Sequence, residues 1–110
     1  PLLEKTEHSK VANVSSLMGS IDDCLSGRSY AYRTSKTGLN MITKILSVEG
    51  QDTDISVSCY HPGWVQTDMG GERAPVQAHE SVEGLIGLIE RQTIERSGRF
   101  FEYTGVELPW

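Results

Sequence analysis

The stretch YAYRTSKTGLNMITKILSVE, residues 30–49, decides how this chain is read. It contains no proline and reads as one long helix, so Tyr32 and Lys36, four positions apart, project from the same face. A phenol with an ordinary pKa of about 10 exchanges protons poorly near neutrality, and a cation within roughly 4–6 Å favours its ionised form. The spacing therefore marks Tyr32 as a general acid or base with Lys36 as its supporting cation. A YxxxK pair alone is weak evidence, because most such pairs lie on solvated helix surface. The neighbouring segments carry the case.

Upstream, KVANVSSLMG reads as a short apolar strand, Val11 to Val14, running into a small-residue turn at Gly19. That sets a serine hydroxyl at a strand's carboxyl end, where open α/β sheets bind ligands. Downstream, DISVSCYHPGWVQTD alternates Ile55, Val57 and Cys59 with Ser56, Ser58 and Tyr60 before a Pro62-Gly63 break. The pattern predicts strands at about 10–15, 54–60 and 99–103, a helix at about 30–49 and another at about 79–95, with loops over 17–29 and 62–79. Such a βαβαβ unit implies a parallel sheet with right-handed crossovers, three strands of a doubly wound α/β fold. The helix at 30–49 is apolar around much of its circumference (Leu39, Met41, Ile42, Ile45, Leu46, Val48), with Ala31, Ser35 and Gly38 for close approach. It is expected to be covered on two sides.

Four stretches, NVSSLMGSI at 13–21, YAYRTSKTGLNMITKILSVE at 30–49, HPGWVQTDMGG at 61–71 and SGRFFEYTGVELPW at 97–110, together resemble the short-chain dehydrogenase/reductase family. Within it the chain is similar to the carbonyl-reductase branch that includes the sniffer and C-signal (C-factor) proteins. Order and spacing agree over nearly the whole chain. The resemblance implies the carboxyl-terminal part of a Rossmann-type fold and an NAD(P)-dependent carbonyl reductase or alcohol dehydrogenase. Carried over residue by residue, Ser16, which Leu17 and Met18 separate from Gly19, would hydrogen-bond the substrate carbonyl. Tyr32 would protonate the developing alkoxide, and Lys36 would support the tyrosine and bond the nicotinamide ribose. Pro62, Gly63, Val65 and Thr67 match the family's PGxVxT segment, which implies that the Val65 backbone and the Thr67 hydroxyl hold the nicotinamide carboxamide. Met18, Trp64 and Met69 are candidates for the substrate pocket. The implied cofactor is NADP, with NAD left open, and the implied partners are a small carbonyl or alcohol substrate and a second copy of the chain packed on the outer face of the 30–49 helix.

A glycine-rich phosphate turn after a first strand, and a ribose selector some 20 residues on, are missing. Gly70-Gly71 follows a loop, and Gly84 and Gly87 lie inside an apolar helical pattern. The family's asparagine would lie upstream of the serine strand, and Asn13, within that strand, is expected to be structural, bonding neighbouring backbone. Residues 1–110 are accordingly expected to form a single partial domain, the catalytic and substrate half of a longer reductase, inactive in isolation. The alternative is a noncatalytic truncated member that serves as an interaction or signalling subunit.

Composition narrows the remaining classes. With 110 residues and 37% hydrophobic content the chain supports one modest core. A net charge of −5 disfavours nucleic acid and anionic membranes, which demand clustered Lys and Arg. No apolar run approaches membrane-spanning length. Cys24 and Cys59 lack metal-ligand or redox spacing; Cys59 reads as a core thiol and Cys24 as a loop residue, which suits a reducing cytoplasm. His8 and His79 lack partners at ligand spacing, so no metal site is expected. His61 lies near serines and aspartates, but without a GxSxG elbow it reads as structural rather than as a hydrolase base. Asp22 and Asp23 read as solvated loop, and Glu80, Glu83 and Glu90 as the exposed face of the last helix.

Overall fold

The computed structural model describes residues 1–110. Strands β1 (Ser9–Val14), β2 (Ile55–His61) and β3 (Phe100–Glu102) form one parallel sheet in the order β1-β2-β3. Helices α1 (Tyr30–Glu49) and α2 (Ala78–Glu90) make the two crossovers, giving the expected βαβαβ unit. Ser9 pairs with Ile55 and Val14 with Tyr60, so β1 and β2 end side by side. Ser15 prolongs the pairing by donating its N–H to the Tyr60 carbonyl at 2.8 Å. The segments that leave the two strands therefore start as neighbours.

Central strand β2 is buried from Ser56 to Tyr60. Tyr60, Leu88 of α2 and Phe101 of β3 make the apolar cluster, with Ala12, Leu85 and Ile89 packed around it. The Tyr60 phenol donates to Gln92 Oε1 at 2.7 Å. Burial pushes that phenol's pKa up to about 12, so it stays protonated and remains the donor. Gln92 Nε2 in turn reaches Val11 O, Ser56 O and Ser56 Oγ at 3.2, 2.9 and 3.0 Å.

Gln92 also corrects the expected end of the last helix. The pattern runs to 95, but α2 stops at Glu90 because Gln92 turns inward, is 4% exposed, and spends its amide on β1 and β2. A short 3-10 turn, Ile94–Arg96, then leads to β3. Lys10 Nζ donates to the Glu90 carbonyl at 2.6 Å, a cation placed where the helix end leaves carbonyls without partners.

Helix α1 keeps its expected bounds and turns small polar residues, not its apolar ones, toward the sheet. Its buried residues are Asn40, Thr43 and Ser47, whereas Met41, Ile42, Ile45, Leu46 and Val48 are exposed by 60, 52, 48, 39 and 51%. Small polar residues line the sheet with most of their hydrogen bonds met: Thr43 Oγ1 donates to Leu39 O, Ser47 Oγ to Lys44 O, and Asn40 Oδ1 accepts from Cys59 Sγ, while Asn40 Nδ2 is buried without a partner. Asn13 is structural as expected, though its partner is the Thr43 hydroxyl at 2.9 Å rather than nearby backbone. Within this chain the helix is thus covered on one side only. Ala31, Ser35 and Gly38 are exposed, and a Cβ on Gly38 would meet open space. Within the chain, close approach to α1 occurs at Gly19, where a Cβ would come within 2.9 Å of the Lys36 backbone.

After β3 the chain turns back, with Glu102 N donating to Val106 O and Leu108 N to Phe100 O, and the Trp110 ring stacks on Phe100 at 5.6 Å between centroids. No helix is long and apolar enough to cross a membrane.

Truncating Gln92 removes the only side-chain partner of the Tyr60 hydroxyl and strips an amide from the β1–β2 seam. Gln92→Ala is expected to cost about 2–4 kcal/mol in denaturant unfolding, since each buried polar group left unpaired costs about 1–3 kcal/mol. A substitution at exposed Glu83 should stay within about 0.5 kcal/mol of the parent.

Candidate active site

The carboxyl ends of β1 and β2 open into one cavity of about 1180 Å³, walled by the segments after both strands and by the beginnings of α1 and α2. Ser16 continues the extended course of β1, with φ −149° and ψ 148°, and caps the short turn Leu17–Gly19 by accepting from Met18 N at 3.1 Å. Its O–H makes no bond within the chain and is free to donate into the cavity that it lines. Ser15 differs, because its hydroxyl is directed to the Lys36 carbonyl at 3.4 Å. Of the two serines, Ser16 is the one with a spare donor.

Arg28 and Ser29 both adopt left-handed φ, +81° and +57°, and set the direction in which α1 starts. Tyr32, in the first turn, faces the cavity and is 40% exposed. Lys36 does not line the cavity. Its Nζ donates to the Val14 carbonyl at 3.4 Å and lies 5.8 Å from the centroid of the Tyr32 ring, so the ammonium is anchored at the end of β1 beside the tyrosine.

The loop after β2 folds on two glycines. Gly63 has φ +86°, and a Cβ there would fall 2.9 Å from the Tyr103 ring; at Gly70 it would fall 1.8 Å from Val65 O. Val65 pairs with Val76 as an isolated bridge, held by Gln66 N to Val76 O at 2.8 Å. Thr67 Oγ1 accepts from Gly70 N at 3.1 Å, Trp64 Nε1 donates to Gly70 O at 2.8 Å, and Ser81 Oγ of α2 donates to Pro62 O at 2.6 Å. Pro62, Gly63, Val65 and Thr67 thereby share one compact cavity wall with Trp64 and Met69, the last two 58% and 88% exposed at its mouth. Tyr103 is clasped from a second side, since a Cβ on Gly84 of α2 would fall 2.4 Å from its carbonyl oxygen.

Ser16, Met18, Tyr32 and the six loop residues from 62 to 69 named from the sequence all line this cavity, and Lys36 stands outside its wall. Three contributions were not read from the sequence. Arg33 lies inside the quoted YRTSK motif and also faces the cavity. Ser81, Val82 and Leu85 bring α2 into the wall, which needed the position of the second crossover. His61, read as structural, lines the cavity too, half-buried and with Nδ1 unpartnered. Burial pushes its pKa below the ordinary value, against the opposing pull of Glu102. Alternation along β2, which turns His61 away from the side that Tyr60 takes, was the available signal.

A pocket for one drug-sized ligand is about 300–1,000 Å³, so this cavity has room for the nicotinamide end of a dinucleotide beside a small carbonyl compound. Among its polar groups, the Ser16 and Thr67 hydroxyls and the Tyr32 phenol could bond a flat ring with a carboxamide, and Asp23, Arg33 and His61 stand in the same wall. No group of three or more His, Cys, Asp or Glu side chains converges to hold a metal ion.

The short chain dehydrogenase family model matches residues 1–78, and the chain belongs to that family. It is 46% identical over 101 residues to C-signal of Myxococcus xanthus, across 92% of this chain and 61% of that protein. It is similar to the solved carbonyl reductase Sniffer of D. melanogaster, with a TM-score of 0.89 and 39% identity across 97% of this chain and 45% of that one. The NADPH-bound carbonyl reductase from chicken fatty liver matches with a TM-score of 0.84 and 36% identity, across 92% of this chain and 42% of that one. The chain thus spans about half the length of these relatives, and its sheet is part of the same Rossmann-type arrangement in the sniffer and C-signal branch.

The position of His61 generates a pH dependence. Its folded pKa lies below the unfolded value of about 6.5, so the stability it contributes is full above that value and falls as pH drops through and below 6.5 toward the folded pKa. NMR titration should give His61 a midpoint below 6.5, and His61→Gln should flatten the acid limb of the stability profile in that window. A midpoint at or above 6.5 would contradict the burial described.

Proposed function

We propose that this chain is the catalytic and substrate half of an NADP-dependent carbonyl reductase, in which Ser16, Tyr32 and Lys36 form the proton relay. The observation that carries this reading is the convergence of the Tyr32 phenol and the spare Ser16 donor on one cavity, with the Lys36 ammonium 5.8 Å from the Tyr32 ring. A bound reduced nicotinamide would supply hydride to the carbonyl carbon. Ser16 donates its O–H to the carbonyl oxygen, and because its own lone pair is engaged by Met18 N the hydroxyl is already oriented. Tyr32 gives its proton to the same oxygen as negative charge develops there. Lys36, tethered to Val14 O, holds positive charge beside the phenolate that remains and bonds the ribose. The Val65 backbone and the Thr67 hydroxyl orient the carboxamide, on a loop shaped by Pro62 and Gly63. Met18, Trp64 and Met69 receive the apolar part of the substrate and exclude water.

NADP is favoured because the chicken carbonyl reductase carries NADPH; NAD stays open, since no ribose selector lies in this chain. The glycine-rich phosphate turn belongs to a preceding half such as the longer relatives have room for, so residues 1–110 alone hold the dinucleotide weakly and do not turn over. A cytoplasmic setting fits the free thiols of Cys24 and Cys59. The exposed apolar face of α1 supports a homodimer across that helix. The same face, with the likeness to a protein named C-signal, supports a second reading as a noncatalytic signalling subunit.

Activity separates the two readings. In the longer protein, Tyr32→Phe should lower carbonyl reduction at least about a hundredfold, the scale of lost general acid catalysis. Lys36→Met should weaken both NADPH binding and turnover. Near-normal reduction by the Tyr32 variant would sink the relay, and no reduction by the parent would favour the noncatalytic reading. For the interface, Ile45→Lys should convert a sedimenting dimer to monomer, and a parent that is monomeric at micromolar concentration would rule out this homodimer.

A further inference from the structure

Arg33 follows Tyr32 in α1 and lines the same cavity. A guanidinium is permanently charged and carries five N–H donors. Its one side-chain bond in the chain is long, Nη2 to Ser26 Oγ at 3.4 Å, and its Nε is buried with no partner at all. The three ion pairs of the structure join Pro1 to Glu4, His8 to Asp54 and Arg99 to Glu107, and none includes Arg33. Asp23, the only carboxylate in the cavity wall, is therefore beyond ion-pair distance of it. A cation with an unpaired buried N–H is costly to keep and marks a place prepared for an acceptor.

Resting on the carbonyl-reductase reading above, we propose that Arg33 recognises a carboxylate on the substrate, so that the preferred substrates are carbonyl compounds bearing a carboxylic acid group. A carboxylate matches the planar guanidinium fork, and Ser26 adds a hydroxyl beside it. Arg33 is the only cationic side chain in the wall, which suits a monoanion rather than a phosphate dianion. The ketone carbon takes the hydride of the reduced nicotinamide and the ketone oxygen takes the Tyr32 proton, giving a hydroxy acid with its carboxylate unchanged.

The test compares two keto acids, 4-acetylbenzoate and 3-benzoylpropanoate, each with its methyl ester, as substrates of the longer protein with NADPH. At least one acid should exceed its ester in kcat/KM, and Arg33→Gln should lower that acid-to-ester ratio about ten- to a hundredfold, the weight of a hydrogen bond to a charged group. Arg33→Lys, which keeps the charge, should retain part of the ratio. Esters reduced as well as both acids by the parent, or an equal loss for acid and ester in Arg33→Gln, would overturn the proposal. If neither acid nor ester is reduced, the reductase reading has failed and benzoate binding decides this one, read from the fluorescence of Trp64 in the same cavity with benzamide as the neutral control. Saturable quenching by benzoate that Arg33→Gln abolishes supports the carboxylate site; quenching absent from the parent, kept in the variant or matched by benzamide overturns it.

Discussion

The amide of Gln92 joins the segment after α2 to both β1 and β2. From one side chain it reaches the β1 backbone at Val11, the β2 backbone and hydroxyl at Ser56, and the Tyr60 phenol. Since Tyr60 is the ring around which Leu88 and Phe101 pack, the same residue ties the polar seam between two strands to the apolar cluster under α2. It also fixes where α2 ends and so how the chain enters β3. A buried polar group this well satisfied specifies one arrangement, because shifting the strands by a residue would strand several donors and acceptors together. The alignment of strand ends on which the cavity depends is a consequence of that register.

Much of this architecture was legible in the sequence. Strand alternation in 54–60 and the uninterrupted helical stretch 30–49 predicted the elements to within a residue, because in both cases local pattern and tertiary environment agree. The overrun of the last helix to 95 has a definite cause: Thr93, Ile94 and Glu95 continue a helical pattern, and only the contacts of Gln92 with residues 36 and 81 positions away break it. Pattern alone does not carry that information. Which face of α1 meets the sheet is not legible from apolarity alone. Thr43 and Ser47 bond their own helix and so can lie against the sheet without loss, which leaves the apolar residues on the other face.

The cavity was partly legible as well. Residues at the ends of β1 and β2 could be placed near one another from the parallel topology alone, which is why the serine, tyrosine and loop positions converge. The distinction between Ser15 and Ser16 needed hydrogen-bond partners, since adjacent serines are equivalent in a pattern of apolar and polar letters. The separation of Lys36 from the cavity wall needed the Val14 carbonyl that captures it. Arg33 was overlooked because an arginine on a helix surface is ordinary, and only the lack of a partner makes it informative.

Tyr103 has a wider meaning for how this chain can change over time. Its ring closes over Gly63, its carbonyl presses on Gly84, and its N–H donates to His61 O at 2.9 Å, so the end of β2, the loop after it and the middle of α2 share one neighbour. A side chain gained at 63 or 84 has no room while an aromatic occupies 103. Drift at these three positions is therefore coupled: in a lineage where 103 becomes small the glycine at 84 is still held by backbone contact, whereas position 63 loses its tightest contact and keeps the Val76 side chain, 3.3 Å from a Cβ there, and its left-handed φ. The two glycines look alike in sequence, yet they are under different kinds of restraint and would come to tolerate a side chain by different routes.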